Sequence, residues 1–268
     1  MAKNNDTVGK TIFVVVALCF VCSVIVSTVA VVLKPTQEEN IKLDKQIFIL
    51  EVAGFDKDLS DGKSNVYTMT KEEITQAYAQ YISPRVVDIK TGLYNEGIDP
   101  DSYDQAKAAR DSKTSIIPTH DVAKVRQIAK QELVYLVKDE TGNFDTIILP
   151  IHGTGLWSTM YAFVALEPDL NTVKSVIYYK QGETPGLGGE VQNPDWQKLW
   201  TGKKVYNEAG DVALRVTKIP SEAKTPYGVD ALSGATLTSN GVSNSLAFWF
   251  GEEGFKPYLK VLSQEGLH

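Results

Sequence analysis

Asp230-Ala231-Leu232-Ser233-Gly234-Ala235-Thr236-Leu237-Thr238-Ser239 separates two segments of different period. Before it, Asp211 to Ile219 reads as a strand. After it, Val242, Leu246, Trp249 and Phe250 fall at helical spacing, and Gly251 and Gly254 supply a stop. Thr236, Thr238 and Ser239 are therefore expected at or just before a helix N-terminus. Unpaired backbone N–H groups and the positive end of the helix dipole gather there, and both favour a phosphate. Gly234 lets the backbone approach a ligand at little steric cost. Ser and Thr also cap ordinary helices, so the residue chemistry alone leaves both readings open.

Working backwards, four strands are expected: Glu132 to Val137, Asp145 to Ile151, Thr159 to Leu166 and Thr172 to Tyr179. Asp139-Glu140-Thr141-Gly142-Asn143 turns the chain between the first two. Asn193-Pro194 reads as an N-cap with proline at the first helical position, opening a short helix to Trp200. Two glycine-rich loops interrupt the pattern. His152-Gly153-Thr154-Gly155-Leu156-Trp157 sets a pliant backbone beside a flat aromatic plane, though an ordinary hairpin loop has the same composition. Gly182-Glu183-Thr184-Pro185-Gly186-Leu187-Gly188-Gly189 has four glycines in eight residues, more than a simple turn needs, and suits a ligand loop. Lys218 and Lys224 lie shortly before the motif, where either one is able to neutralise a phosphate, though an ordinary solvated lysine is the commoner reading of each.

The run Asp-x-x-Ser-Gly-Ala-Thr, Asp230 to Thr236, resembles the flavinylation signature of FMN-binding domains in bacterial respiratory complexes. Continued through Ser239-Asn240-Gly241-Val242, it is most similar to the NqrC family, which serves the sodium-translocating NADH:quinone oxidoreductase. The likeness extends to the N-terminal anchor and to much of the chain after about Leu133. It implies an FMN joined covalently by its phosphate to Thr236, with Ser233, Gly234, Ala235 and Thr238 around it. It also implies a wall made by the Glu183 to Gly188 loop, with Glu183 and Gly188 in it and Thr184 and Leu187 against the flavin. Trp157 and Lys218 complete the candidate cofactor-binding residues. By the same resemblance the flavin relays single electrons on the way from NADH to ubiquinone, beside NqrA, NqrB, NqrD, NqrE and NqrF. No nucleophile–base pair stands near Thr236, so a separate flavin transferase is expected to load it. No catalytic residue is nominated: enzyme activity belongs to the complex. The corresponding member of an Rnf-type ferredoxin:NAD oxidoreductase belongs to the same superfamily; the segment from about Gly54 to Lys130 favours the first. An anchored binding or assembly module, its motif a mere cap, is the reading from a different class.

Thr11 to Leu33 has no charged residue. At ~1.5 Å per residue it reaches ~35 Å, enough for a bilayer core and longer than a usual signal-peptide core. Ser23, Ser27 and Thr28 are small polar positions that suit a contact with another membrane helix. Lys3 and Lys10 precede the span and Lys34, Lys42 and Lys45 follow it, so basic residues do not settle orientation. The resemblance implies a bacterial inner membrane with the large domain in the periplasm. Beyond the span, Pro35 to Leu50 reads as a helix that either continues from the membrane or leads into the domain, and Gly54 to Ser64 reads as a loop. Thr70-Lys71-Glu72-Glu73 is a capping box whose helix carries Ile74, Tyr78 and Ile82 on one face and ends at Pro84. Asp99, Asp101 and Asp104 lie in a charged stretch that reads as a solvated face; the spacing lacks the glycine and terminal glutamate of a calcium loop.

The expected organisation is a short tail (1–10), a transmembrane helix (11–33), a linker with a helical or irregular part (34–130) and an FMN-binding domain (131–258). The fold class is α+β, with a mainly antiparallel sheet and flanking helices. A net charge of −6 and no basic stripe argue against nucleic acid. Cys19 and Cys22, the only cysteines, sit inside the apolar span, which leaves the large domain without a disulfide or a cysteine-ligated cluster. His120, His152 and His268 are too scattered to suggest a metal site.

Overall fold

The computed structural model describes residues 8–55, 66–139 and 141–265. Most of the expected tail, residues 56–64 of the expected loop, Glu140 of the expected turn and His268 lie outside the described residues. The chain divides into two compact units between Lys45 and Gln46.

Helix α1 runs from Val8 to Leu50. Among the described residues it is the one helix long and apolar enough to cross a membrane, and its apolar part is fully exposed, as a lipid-facing segment must be. The Ser23 and Thr28 hydroxyls donate to the carbonyls of Cys19 and Val24, each at 2.7 Å, one turn back. Those two groups are satisfied within the helix and need no partner helix to lie in lipid. The helix continues through Pro35, so Thr36 to Leu50 prolongs it.

The second unit opens with buried Ile49 and Leu50 and a π-helical turn, Glu51–Phe55. A short 3-10 turn, Val66–Thr68, precedes α2 (Lys71–Tyr81). The capping box is present: the Glu73 N–H donates to Thr70 Oγ1 at 3.3 Å and the Thr70 N–H to Glu73 Oε2 at 2.7 Å. The helix stops earlier than expected, and Ile82 opens strand β1 (Ile82–Asp88), which carries Pro84 inside it. Pro84 biases Ser83 to extended backbone and so ends the helix before it is reached. As β1 is an edge strand, the missing N–H costs no ladder bond on its outer side. Helix α3 (Gln105–Arg110) follows, capped by Asp104, whose Oδ1 accepts from the Lys107 N–H at 2.9 Å. Then come β2 (Ser115–Ile116), β3 (Ile128–Ala129), β4 (Gln131–Lys138), β5 (Phe144–Thr154), β6 (Thr159–Leu166) and β7 (Val173–Lys180).

Strands β1, β4, β5, β6 and β7 form one sheet in that order, every pair antiparallel. Because β1 pairs with β4 from Ile82↔Val137 to Asp88↔Gln131, the sheet draws on chain well before residue 131. After β7 the chain forms α4 (Pro194–Lys198), β8 (Arg215–Thr217), α5 (Pro220–Ala223), β9 (Gly228–Asp230), α6 (Thr236–Trp249) and α7 (Lys256–Glu265). The strand expected over Asp211 to Ile219 shrinks to β8. It pairs in parallel with β9, not with the main sheet. Asn193 caps α4, with Pro194 at its start, as its sequence requires.

Ile147, Leu149 and Ile151 of β5 face Val242 and Leu246 of α6 in one core with Trp249, Phe255 and Tyr258. Fully burying side chains of this size contributes roughly 1.5–3 kcal/mol each, which fixes α6 on the sheet. Residues 48–55 lie on the sheet from β5 to β7, with Phe48 against Tyr179 at 5.6 Å between ring centroids.

Candidate functional site

The site begins where β9 leaves the small parallel pair. The Ala231 N–H donates to the Thr217 carbonyl at 2.9 Å, and the Trp196 indole N–H to the Asp230 carbonyl at 2.8 Å, so both sides of this backbone are held. Leu232-Ser233-Gly234-Ala235 then turns the chain, closed by the Ala235 N–H on the Leu232 carbonyl at 3.2 Å. Gly234 has φ +70°, in the left-handed region that glycine enters without strain. Helix α6 starts at Thr236, with Ala235 at the N-cap and no side-chain cap. No motif hydroxyl serves as the cap. Among the described residues the N–H groups of Thr236, Leu237 and Thr238 have no acceptor. A helix end in that condition is suited to an external anion.

The motif's four hydroxyls have different surroundings. Ser239 is 3 % exposed and its Oγ accepts the Leu232 N–H at 3.2 Å. Thr238 is 2 % exposed and donates to Glu183 Oε2 at 2.7 Å. Ser233 and Thr236 are exposed. Among the described residues Thr236 alone of the four has a cation hydrogen-bonded to it: the Lys218 ammonium, just beyond β8, donates to its Oγ1 at 2.5 Å. An ammonium that donates is no base for the hydroxyl; its charge suits an anion carried on that oxygen. Lys224 sits at the C-cap of α5, where its N–H donates to the Glu222 carbonyl, and it forms no described hydrogen bond with the motif.

Two loops stand against this helix end. The glycine-rich stretch expected between β5 and β6 is mostly strand: His152, Gly153 and Thr154 continue β5, paired with Tyr161, Met160 and Thr159. Gly153 fits there because a Cβ would lie 2.1 Å from Ser245 Oγ of α6. Only Gly155 to Ser158 turn, which presents Trp157 at the tip, 71 % exposed. The second loop contains a tight turn, Thr184-Pro185-Gly186-Leu187, closed by the Leu187 N–H on the exposed Thr184's carbonyl at 3.1 Å, with Gly186 at φ +75°. Pro at its second position and a positive-φ Gly at its third are the type II pattern. Leu187 is 43 % exposed and reaches the motif turn: a Cβ on Gly234 would lie 3.0 Å from its Cδ2.

Glu183 lies between the loops, 5 % exposed. Its Oε1 accepts the N–H groups of Trp157 at 2.9 Å and Ser158 at 3.0 Å. Its Oε2 accepts that of Leu156 at 3.0 Å and the Thr238 hydroxyl. Burial pushes this carboxyl's pKa up, but the bonds from Thr238, Trp157, Leu156 and Ser158 outweigh it and hold the group below the ordinary glutamate range. The stability it contributes is complete above the unfolded-chain pKa of about 4.3 and is lost as pH falls through the lower folded value. Gly155 and Gly188 make room for it: a Cβ on Gly155 would lie 2.7 Å from Glu183 Oε1, and one on Gly188 2.5 Å from Thr238 Oγ1. These two glycines are explained by contacts within the protein. The sequence displays the local half of this arrangement, four glycines around one acid, but not the acid's partner 55 residues away.

His152 stands apart from this cluster. Its ring stacks on Tyr161 at 5.6 Å and meets Trp249 at 4.9 Å, and burial lowers its pKa to about 4, which keeps it neutral near pH 7. Among the described residues no group of three or more His, Cys, Asp or Glu is placed to hold a metal ion.

Residues 155–250 match the FMN-binding domain family, a span that runs from the Gly155 turn to the end of α6. The chain is 50% identical to the NqrC protein of the Na(+)-translocating NADH-quinone reductase of Vibrio alginolyticus over 261 residues, 97% of this chain and 96% of that protein. It is 47% identical to the NqrC protein of Yersinia pestis over 267 residues, 99% and 97% of the two chains. Among solved structures, that of Shewanella oneidensis NqrC superposes with a TM-score of 0.73 at 34% identity, covering 84% of this chain and 99% of the other.

Proposed function

This chain belongs to the NqrC family of Na(+)-translocating NADH-quinone reductases, and from that premise we propose that it carries FMN as a phosphoester on Thr236 and relays electrons from NADH towards ubiquinone. The observation that carries this reading is the selection among the motif's hydroxyls. Thr236 is exposed, opens an uncapped helix and lies beside the Lys218 ammonium, whereas Thr238 and Ser239 are buried and hydrogen-bonded. The residues fit the phosphate of FMN: N–H groups of the first turn of α6, the dipole behind them and one cation supply what a phosphate monoester or diester needs.

When bound, the flavin supplies the electron-accepting and electron-donating chemistry. The chain's own residues tether and surround it. Thr236 holds the phosphate, Lys218 and the helix N-terminus balance its charge, and Gly234 lets the turn approach. Ser233 and Ala235 complete the turn on which the ester stands. Trp157, Thr184 and Leu187 are exposed groups on two turns closed by backbone hydrogen bonds and serve as the walls for the ring and its ribityl chain. An ester at the phosphate leaves the ring chemically unaltered, so its potential is set by packing and hydrogen bonding alone. The tether also keeps the carrier at a fixed, high effective concentration. A flavin transferase makes the bond, and NqrA, NqrB, NqrD, NqrE and NqrF are the partners in the complex.

Peptide mass mapping of the natively matured chain tests the assignment. One FMN less water is expected on the fragment containing Thr236, and fragmentation places it on that residue. Placement on Thr238 or Ser239, or an unmodified motif, overturns it.

By the family likeness α1 is a single span of the bacterial inner membrane and the second unit lies in the periplasm. A cysteine introduced at exposed Thr141 of the second unit should react with a membrane-impermeant maleimide in intact spheroplasts. Labelling only after the membrane is breached would reverse the orientation.

A further inference from the structure

We propose that Glu183 is the positioning residue of this site, one that ties three separate walls together and does not itself touch the cofactor. The inference rests on the reading of Thr236 as the flavin's attachment point and adds what holds the surroundings of that point in register.

Three elements distant in sequence meet at one carboxylate: the β5–β6 turn through Leu156, Trp157 and Ser158, the Thr184–Leu187 turn through Glu183's own backbone, and α6 through Thr238. Both oxygens are saturated. Each accepts two donors at 3.0 Å or less, and a carboxylate has about four acceptor sites. None remains for a flavin N–H. The neighbouring groups are also committed. The Glu183 N–H donates to Gln181 Oε1 at 2.5 Å, and the Gly182 N–H to Ser158 Oγ at 2.7 Å. A second turn-to-turn bond therefore runs beside the carboxylate.

The chemistry is specific to a carboxylate. Four donors within 3.0 Å, with the Ser158 hydroxyl a fifth at 3.4 Å, converge on two oxygens, so an acceptor-only group is required. An amide of the same size has one acceptor oxygen, and its NH2 group would face N–H donors. Charge-assisted bonds of this kind are also about twice as strong as neutral ones. Trp157 is a large apolar side chain, 71 % exposed at the tip of a four-residue turn. The three consecutive N–H bonds to Glu183 fix the backbone from which it projects. Gly155 and Gly188 serve the same end, since a side chain on either would collide with the carboxylate or with Thr238.

The test is Glu183→Gln in the full complex, matured with its flavin transferase, with three readings on each sample. The first is flavin fluorescence of the chain after denaturing electrophoresis. The second is the visible absorbance and circular dichroism of the native flavin. The third is amide exchange at Leu156, Trp157 and Ser158. The expected result is an undiminished fluorescent band, a native flavin spectrum moved towards that of free FMN, and exchange of the three amides faster by about 10-fold or more. An unchanged flavin spectrum overturns the proposal. A changed spectrum with unchanged exchange also overturns it, because Glu183 would then act on the flavin by direct contact. If Glu183→Gln does not accumulate, Thr238→Val removes only the bond to α6 and should move the spectrum and the exchange in the same direction to a smaller extent; no movement overturns the proposal. Absence of the fluorescent band from the unmutated chain is a different failure and removes the attachment reading.

Discussion

Thr236→Ala is expected to remove all covalently bound flavin from the chain while leaving it folded. On denaturing electrophoresis under ultraviolet light the fluorescent band of the unmutated chain should be absent, and NADH:quinone turnover of the complex should fall to background. The fold survives because little is lost with the side chain. Thr236 is exposed, its described side-chain partner is the equally exposed Lys218, and alanine has a better helix propensity than threonine at this first position of α6. Surface replacements of this kind stay within about 0.5 kcal/mol. The cofactor is lost because no other hydroxyl takes its place. Thr238 and Ser239 are committed inside the protein, and neither oxygen can reach a reagent without breaking the bond to Glu183 or to the Leu232 N–H. Ser233 is the one other exposed hydroxyl of the motif, but it stands in the turn before the helix and, among the described residues, has no cation hydrogen-bonded to it. A fluorescent band persisting in Thr236→Ala would place the ester on such a residue and defeat the assignment. The variant has to be matured beside the transferase and compared with unmutated chain prepared in the same way, since a chain never offered flavin is dark for a trivial reason.

The sequence discloses features that depend on neighbours within four residues. The capping box at Thr70 and Glu73, the Asn193-Pro194 start and the period of α6 are local, and the backbone follows them. Where tertiary pairing decides, local signals mislead. His152-Gly153-Thr154 looks like loop because of its glycine, yet β6 offers it a ladder and Ser245 of α6 leaves no room for a larger side chain, so β5 continues. Pro84 reads as a helix stop, and the chain uses it within an edge strand. Strand β9 is three residues long, too short to display alternation. Helix α7, with Tyr258, Leu259 and Leu262 buried, lies beyond the glycine stop and is not among the elements expected from the sequence. At the site, the chemistry of the helix end is legible because Ser-Gly-Ala-Thr stands beside it. That Thr238 and Ser239 face inwards depends on Glu183 and on the turn at Leu232. Glu183 is 55 residues from its partner, a separation that leaves no spacing to read.

Gly241→Ala carries the second large effect, and its sign runs against propensity. In an exposed helix interior, replacing glycine by alanine gains about 1 kcal/mol. Gly241 lies inside α6 and is buried against the end of β5. A Cβ there would sit 2.5 Å from the Thr154 carbonyl oxygen and 3.0 Å from Gly155 Cα. Both obstacles are backbone and cannot rotate away. Reaching ordinary contact at 3.4 Å requires the helix and the strand to separate by about 0.9 Å. That movement strains the Thr238 bond to Glu183 and loosens the packing of Val242 and Leu246 on β5. Overpacking of this type costs about 1–3 kcal/mol, and a weakened buried bond adds about 1 kcal/mol or more. The penalty therefore exceeds the propensity gain, with a net loss of about 2 kcal/mol. For a domain of this size the melting temperature should fall by about 4–8 °C. Asn240→Ala, one position earlier on the exposed side of the same helix, is the matched control and should leave the melting temperature unchanged or slightly raised. Thermal unfolding of the detergent-solubilised chains, followed by tryptophan fluorescence, compares them. Equal melting temperatures would mean that α6 is free to slide on the sheet, and a helix with that freedom could not hold Thr236 in fixed relation to the two turns beside it.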